Sequence, residues 1–389
     1  MRSDFKKIGD YIRLVDERNA GLKVKNLLGL SISKQFIPSV ANIIGTDMEN
    51  YKIIRKNHFA CSTMQVRRDK KMPIALLQEV DEAIISQAYP VFEVIDTKVL
   101  LPEYLMIWFS RQEFDREACF YAVGGVRGSL EWEDFCEMQL PIPHPDKQRE
   151  IVKEYNTIVN RINLNNHLIQ KLEETAQAIY KQWFVDFEFP DQHGKPYKSN
   201  GGKMVWNEEL GKEIPQGWGM KTYLEAFNFK TGKLNSDASV PNGKYPFFTC
   251  SQETFKTNTY SFDCEALILA GNNASAIYPF KYFKGKFDAY QRTYIVTPKD
   301  KDVSTYQGYF DIIGRLEEFK GTSSGTATKF LTLQILNPLK IIVPDEQMFK
   351  NFRNICEPIF SGKLLAESNI SLLSELKELL LSKLATIEN

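Results

Sequence analysis

The stretch "PIPHPDKQREI" occupies residues 141–151, and "KIIVPDEQMFK" occupies residues 340–350. Each places an apolar, strand-like run before Pro-Asp-x-Gln, and a long helical pattern follows. Proline suits the first turn of a helix because its φ is fixed, and an early aspartate complements the positive end of the helix dipole. The copies lie 199 residues apart, counting from Pro145 to Pro344. The sequence therefore predicts an internal architectural repeat.

Both helical patterns carry a seam of mostly apolar residues in alternating steps of four and three, the 3.5-residue period of a coiled coil. The central seam comprises Ile151, Tyr155, Ile158, Ile162, Asn165, Ile169 and Leu172, and the C-terminal seam includes Ile370, Leu373, Leu380 and Leu384. Asn165 is polar, and such a residue in a seam typically gives up stability to fix register. In the second helix, Pro358 and Gly362 predict a kink. Two such rods can fold back as an antiparallel helix pair.

Each predicted helix follows a stretch with β-rich patterning that also contains a shorter helical run. The predicted fold class is α+β: two globules of mixed α/β character, separated by a long antiparallel two-helix coiled coil, with a pseudo-twofold repeat. The predicted domains are a first globule (1–145), a central helix (146–189), a linker rich in Gly, Pro, Lys and Asn (190–210), a second globule (211–345) and a C-terminal helix (346–389).

The 389 residues include 49 basic and 49 acidic side chains, so the net charge is zero. This balance argues against a purely electrostatic nucleic-acid binder, although a basic patch backed by an acidic surface is compatible with it. The first residues, "MRSDFKKIGDYIRLV", have no apolar core of signal-peptide length, and no run approaches a membrane span. We expect a cytoplasmic protein without a membrane partner, whose six scattered cysteines are buried thiols.

Residues for catalysis are not evident. The chain has no P-loop, dinucleotide-binding, zinc-protease or serine-hydrolase motif, and it lacks the motifs of an adenine methyltransferase. His58 and Cys61 are three apart, but without a second pair we predict no metal site. Asp96-Thr97-Lys98 has part of the shape of a Mg²⁺-dependent nuclease site, and a turn after a strand explains it better. We therefore expect no catalytic residue, and a self-contained nuclease stays a minor alternative.

Several polar stretches are suited to DNA. "QVRRDKK" contributes Arg67, Arg68, Lys70 and Lys71, which suit phosphate and guanine, although such a run is usually just a solvated face. Two glycine-rich stretches, 124–129 and 321–326, each lie between the helix and the last strand of a globule. They offer backbone N–H groups and side chains to a phosphate, and a mobile turn explains them equally well. Their candidate residues are Arg127, Ser129, Ser323, Ser324 and Thr326.

In the second globule, "AGNNAS" and "DAYQRTYIV" offer further candidates: Asn272, Asn273, Tyr290, Gln291 and Arg292. Asparagine and glutamine can pair in two places with adenine, and arginine with guanine. Turn formation explains the asparagines almost as well.

The arrangement resembles the specificity subunit of type I restriction–modification systems over essentially the whole chain. The resemblance rests on the two apolar runs with PDxQ, on "AIYKQWFVDFEFP" (178–190), on "GKPYKSNGGKMVWN" (194–207) and on "IPQGW" (214–218). The first globule has no counterpart of "IPQGW" and starts instead with "KKIGDYIRLVDERN". The candidate DNA contacts come from side-chain chemistry alone, because the recognition domains of this family vary with their targets.

The resemblance implies two target recognition domains, each reading one half of a split double-stranded DNA sequence, with the paired helices as a ruler. It also implies docking of two methyltransferase subunits, to which motor/nuclease subunits add. No cofactor would then be bound by this chain, and S-adenosylmethionine, ATP and Mg²⁺ would belong to the partners. The alternative is a non-catalytic coiled-coil scaffold that binds protein partners, which the zero net charge slightly favours.

Overall fold

The computed structural model describes residues 5–39, 46–124, 128–325 and 328–386. The chain divides into two compact units. Unit 1 comprises Met1–Asn165 with Asn369–Asn389, and unit 2 comprises Asn166–Ser368. The boundaries fall inside the two long helices, so each unit contains one part of both.

Unit 1 is a mixture of short strands and helices. Its strands are β1 (Phe5–Lys7), β2 (Ile12–Leu14), β3 (Leu28–Leu30), β4 (Phe36–Pro38), β5 (Lys52–Arg55), β6 (Phe59–Cys61), β7 (Ile74–Leu76), β8 (Glu82–Ile85), β9 (Val91–Val94) and β10 (Gln139–Pro141). Its helices are α1 (Val66–Asp69), α2 (Pro102–Phe109), α3 (Gln112–Tyr121), α4 (Trp132–Glu137) and the first part of the central helix α5 (Pro145–Tyr180).

The main sheet of unit 1 has the antiparallel order β2–β9–β6–β7. Phe59 lies directly opposite Phe92, and their rings stack with centroids 4.9 Å apart. Phe109 of α2 meets both rings edge-on, and Phe135 of α4 packs against the Phe92 ring. Because these aromatic side chains are almost fully buried, they form the centre of the core. The alternating apolar pattern of the strands thus faces the helices.

Unit 2 is built on a larger sheet. Its strands are β11 (Met204–Asn207), β12 (Lys212–Pro215), β13 (Gly219–Thr222), β14 (Phe227–Thr231), β15 (Tyr245–Phe248), β16 (Thr254–Thr257), β17 (Phe262–Ala270), β18 (Asn272–Asn273), β19 (Phe280–Ala289), β20 (Thr293–Pro298), β21 (Lys329–Phe330) and β22 (Lys340–Val343). Its helices are α6 (Tyr223–Ala226), α7 (Thr305–Thr322), α8 (Leu333–Leu336) and the first part of α9 (Glu346–Lys383).

The main sheet of unit 2 runs in the order β14–β20–β17–β19–β15–β16, and β15 pairs with β19 in parallel. Helix α7 lies against this sheet at close range. A Cβ on Gly308 would stand 2.8 Å from the Phe227 ring and 3.3 Å from Leu267, so only glycine permits this approach. The core between them joins apolar residues of the sheet to those of α5 and α9.

Within each unit the two long helices run antiparallel. In unit 2, Leu172 meets Gly362, while Trp183, in the turn that directly follows α5, meets Phe352, earlier in α9. In unit 1, Ile151 shares a core with residues of the C-terminal segment beyond 380. The seam positions of both helices named from the sequence are buried or half-buried. Helix α9 continues through Pro358 as one helix.

The central helix ends earlier than the predicted residue 189. A π turn, Lys181–Val185, closes it, and Phe187 then adopts a left-handed φ of 60°. This turn of the chain places Phe187 and Phe189 against the Trp218 ring, with centroids 5.8 and 5.0 Å away. Burial of these aromatic rings stabilises a change of direction that the local helical pattern does not signal.

The stretch predicted as a linker, residues 190–210, contains regular structure. Strand β11 pairs with β12 as an antiparallel hairpin, with Met204 opposite Pro215. Tyr197 stacks on Phe189 at 4.5 Å, which fixes the segment against unit 2. Its glycine, proline and lysine residues all precede β11, in the turns and bends between residues 190 and 203.

The repeat is visible as matching backbone hydrogen bonds. β1 pairs with β10 and β13 with β22, both antiparallel. The Ile8 N–H donates to Met138 O at 2.8 Å, and the Tyr223 N–H donates to Leu339 O at 2.7 Å. Met138 and Leu339 are 201 residues apart, not the 199 that separate the two PDxQ motifs. At this spacing Pro344 corresponds to Pro143, because the first copy has two additional residues before its aspartate.

Candidate nucleic-acid interface

In unit 1 the basic stretch forms the short helix α1 and its flanks. Arg67, Arg68, Lys70 and Lys71 are all exposed. Gln65 and Lys70, at the two ends of α1, have left-handed φ values of 64° and 52°. Such backbone strain in residues other than glycine persists only where surrounding structure enforces it, and it concentrates at functional sites. The stretch is therefore a fixed feature of the surface.

The glycine-rich loop of unit 1 lies against this helix. Val123 and Ser129 exchange backbone hydrogen bonds of 2.9 Å, which closes the loop. The Arg67 guanidinium donates to Gly124 O at 3.4 Å, and a Cβ on Gly128 would stand 2.7 Å from the Arg67 Cβ. Two stretches separated by some sixty residues in sequence thus meet at one surface, whereas Arg127 lies outside the described residues.

A buried ion pair supports the basic stretch from below. Lys34 Nζ lies 2.8 Å from an oxygen of Asp115, and their side chains are 8% and 11% exposed. Asp115 also accepts the backbone N–H of Met72, just beyond the basic residues, at 3.1 Å. Burial lowers the pKa of Lys34, and the neighbouring Asp115 carboxylate partly offsets this effect. Sequence reasoning missed this pair because lysine in "SISKQ" looks like a surface turn residue.

The charge on the basic stretch is partly compensated. Arg68 donates to the Asp69 carboxylate at 2.6 Å, and this hydrogen bond lowers the pKa of Asp69. Arg67 is directed instead toward the loop. Of these two arginines, Arg67 is therefore the better placed to contact a phosphate or a guanine edge beside the loop.

In unit 2 three separate stretches meet. Strand β18 pairs with β21, so that Asn272 faces Phe330. The Gly271 N–H donates to Arg292 O at 2.8 Å, and Ser324 exchanges backbone hydrogen bonds with Phe330. The Arg292 guanidinium lies over the Phe330 ring, 5.4 Å from its centroid. The candidates from "AGNNAS", "DAYQRTYIV" and the glycine-rich stretch are thus brought together.

The candidate side chains of this cluster differ in their exposure and in the hydrogen bonds that they already make. Asn273 Oδ1 accepts the backbone N–H groups of Ser275 and Ile277, so turn formation accounts for it. Asn272 Oδ1 is buried without a hydrogen-bond partner among the described residues. The remaining side chains are exposed at Gln291, Arg292 and Ser324, and half-buried at Tyr290 and Ser323, while Thr326 lies outside the described residues.

The described ends of the two loops, residues 123–129 and 324–330, occupy equivalent places. Val123 bridges Ser129 as Ser324 bridges Phe330, again at a spacing of 201 residues. Gly124 and Gly325 both have positive φ, 91° and 101°. Beside each loop, a leucine N–H donates a hydrogen bond of 2.9 Å to a segment that follows a strand. Leu130 donates to Thr63 O, after β6, and Leu331 donates to Gly271 O, after β17. The basic stretch of unit 1 and "AGNNAS" of unit 2 therefore occupy equivalent places.

The nuclease-like and metal-like residues considered in the sequence have local structural explanations. Asp96 Oδ1 accepts the backbone N–H of Lys98 at 2.8 Å, the geometry of a turn. Cys61 is fully buried, which raises the pKa of its thiol, and His58 lies 3.4 Å from a Glu93 oxygen. Over the described part of the chain, His, Cys, Asp and Glu side chains form no group of three able to hold a metal ion, and no helix is long and apolar enough to cross a membrane.

The helix pair carries exposed apolar side chains in unit 1. A groove of about 610 Å³ lies between α5 and α9, with Ile158 and Leu380 at its base and Glu150 and Lys153 on one side. Exposed leucines continue it along α9: Leu372, Leu376 and Leu379. Asn165, the polar seam residue, donates to Arg161 O of its own helix at 2.8 Å.

The amino-acid sequence of this chain is similar to those of known proteins. Residues 41–174 and 215–351 match the sequence model of the type I restriction modification DNA specificity domain. The chain is 22% identical over 309 residues to the type I restriction enzyme MjaIX specificity subunit of Methanocaldococcus jannaschii, covering 73% of this chain and 68% of that one. It is 30% identical over 132 residues to the EcoDI specificity subunit of Escherichia coli, covering 34% of this chain and only 29% of the relative.

The fold is also that of a solved structure. The type I restriction–modification S subunit of M. genitalium superposes with a TM-score of 0.62 at 15% identity, over 99% of this chain and 96% of that one. The two equivalent loops, with the strands β10 and β22 that follow them, fall within the two matched segments. The chain therefore belongs to the type I restriction modification DNA specificity family.

Proposed function

We propose that this chain is a DNA-recognition subunit that reads a bipartite target, one half with each unit, and that it works in the cytoplasm. The observation that carries the proposal is the equivalence of the two polar clusters. Each cluster lies on the same framework of strands and beside the same closed loop. Repeated readers on a repeated framework suit a target made of two separated half-sites.

The clusters differ in chemistry where they are equivalent in position. Unit 1 presents Arg67 beside its loop, which suits guanine or a phosphate. Unit 2 presents the exposed Gln291 and Arg292, which suit adenine and guanine. The backbone of each loop supplies contacts that do not depend on sequence, while these side chains supply discrimination. The two half-sites are therefore expected to differ in base sequence.

The helix pair is the proposed docking face for two methyltransferase subunits, and motor/nuclease subunits join through them. The groove of unit 1 combines an apolar base, including Ile158 and Leu380, with charged side chains at Glu150 and Lys153. Apolar centres with polar rims are usual at protein interfaces. S-adenosylmethionine, ATP and Mg²⁺ are assigned to these partners, and this chain is assigned no catalytic step.

The test is to map methylated adenines by single-molecule sequencing after co-expression of this chain with its methyltransferase subunit. We expect methylation at one split sequence, and no methylation there without this chain. Exchanging unit 2 for that of another specificity subunit should alter only one half of the target. Methylation at the same sequence in the absence of this chain refutes the proposal.

The second candidate function is a scaffold that binds only protein partners, which zero net charge favours. Competition between target and unrelated DNA at moderate salt distinguishes the two functions. If the assembled complex prefers its target by less than about tenfold, the scaffold is the better description, because specific DNA binders typically discriminate by 10³ or more.

A further inference from the structure

An exposed aromatic side chain stands at the end of helix α3. Phe120 is 80% exposed, which makes it the most exposed large hydrophobic side chain among the described residues. Tyr121 and Val123, 39% and 57% exposed, extend the apolar surface, and the Tyr121 ring meets that of Phe120 edge-on at 5.5 Å. Folding leaves this ring almost wholly in water, so the fold of unit 1 gives no reason for phenylalanine here.

The last turn of α3, which carries this ring, lies against the basic stretch. Cys119 Sγ donates to Val66 O at 3.4 Å, which packs the last turn of α3 against α1. Arg67 and Lys70 of that stretch lower the pKa of the Cys119 thiol, although burial raises it by more. Phe120 follows immediately in the chain, and Gly124, the partner of Arg67, comes four residues later. An exposed apolar side chain beside basic residues suits a DNA duplex, whose phosphates are negatively charged and whose stacked bases are apolar.

Unit 2 supplies an internal comparison. Helix α3 ends at Tyr121 and α7 at Thr322, the same 201 residues apart as the loops that follow them. Both ends are capped alike: the Ala122 N–H donates to Ala118 O and the Ser323 N–H to Phe319 O, each at 3.0 Å. The position equivalent to Phe120 is therefore Gly321. The repeat forms without an aromatic side chain at this place.

We propose that Phe120 inserts between neighbouring base pairs of the half-site read by unit 1, unstacking them and bending the duplex there. The half-site read by unit 2 keeps its stacking, because Gly321 has no side chain to insert. Apolar wedges of this kind act next to basic residues that hold the flanking phosphates, a role available here to Arg67 and Lys70. This inference rests on the proposed function, since it requires a DNA target.

The test uses the complex assembled with its methyltransferase subunit and a target duplex carrying 2-aminopurine, whose fluorescence rises on unstacking, at one position at a time. The adenines that become methylated and their direct neighbours are left unlabelled, because a methyltransferase extrudes its target base whether or not a wedge is present. We expect a rise in only one half-site. Phe120→Ala should abolish the rise and weaken target binding by about tenfold, as loss of one base–aromatic contact does. Phe120→Trp should retain both properties.

A gain-of-function variant complements these losses. Gly321 is exposed and a Cβ there meets no atom within 4 Å, so the side chain of Gly321→Phe starts in open space. We expect it to produce a second rise of fluorescence, in the other half-site. Thermal unfolding of both variants checks that the fold is intact.

The outcomes separate this inference from the proposed function. Absence of sequence-specific binding by the wild-type complex refutes the proposed function. Specific binding with flat fluorescence in both half-sites, or with a rise that persists in Phe120→Ala, refutes the wedge alone. If Phe120→Ala instead weakens association with the methyltransferase subunit and leaves the fluorescence unchanged, the ring is a protein contact, and the wedge is likewise refuted.

Discussion

Gln148 fastens the start of helix α5 to unit 1, and its replacement by leucine is a sharp test of the packing described above. The side chain is fully buried. It accepts the Leu101 N–H and donates to Val99 O and Pro143 O, each at 2.8 Å. Leucine can make none of these bonds. Three fully buried groups left unsatisfied would cost about 3–9 kcal/mol, at about 1–3 kcal/mol each. Because the bonds to Leu101 and Val99 are only part-buried, we expect Gln148→Leu to destabilise unit 1 by about 3–6 kcal/mol.

The repeat provides a matched control, because Gln347 occupies the same place in the second PDxQ motif. Gln347 is exposed and donates only to the Asn351 side chain, at 2.9 Å. Gln347→Leu should change stability by no more than about 0.5 kcal/mol, as is usual for surface substitutions.

Hydrogen exchange followed by mass spectrometry reads the two units separately, which a single unfolding curve does not. We expect faster exchange in peptides covering α2 and the start of α5 for Gln148→Leu, with unit 2 unchanged. Equal effects of the two substitutions, or a change below about 1 kcal/mol for Gln148→Leu, would refute the assignment of this residue as a buried clamp.

Three further predictions follow from buried contacts. Lys34→Met should destabilise unit 1 by about 3–5 kcal/mol because Asp115 loses its buried cation, and adding Asp115→Leu should recover part of that loss in denaturant titrations. Burial also holds the pKa of Lys34 below 10.5, so the unfolded chain binds the lysine proton more tightly than the folded chain does. The free energy of unfolding of unit 1 should therefore rise with pH between the lowered pKa and 10.5. A pH series on Lys34→Met should lack this rise. Gly362→Leu should destabilise unit 2 by about 1–3 kcal/mol in hydrogen exchange, because even its Cβ would stand 3.4 Å from Leu172, whereas Gly314→Leu, in open space on α7, should not destabilise it.

Local patterns predicted the regular elements well where one period dominates. The strands β17 and β22 lie where short apolar runs end at turn residues, and α5 follows an unbroken 3.5-residue period from Ile151. The end of α5 was placed too late because the left-handed Phe187 is stabilised by packing against Trp218, a contact distant in sequence. Local periodicity carries no information on such packing.

The candidate interface could be predicted only in part, for a related reason. Residue chemistry proposed Arg67 and Asn272 as candidates, but not which loop each one meets. The contact of Arg67 with Gly124 and the pairing of Asn272 with Phe330 are tertiary. The spacing of the repeat was likewise misjudged by two residues, because a shared motif is a weaker guide to equivalence than shared hydrogen bonds.

The division of both long helices between the units has a consequence for the order of folding during translation. Unit 2 is one continuous segment, so all of it is outside the ribosome once residue 368 has emerged. Unit 1 is discontinuous, and its core includes Leu381 and Leu384. The first strands of unit 1 are synthesised earliest, but its core stays incomplete until those two leucines emerge. A nascent chain stopped before them would leave apolar residues of unit 1 exposed to chaperones and proteases.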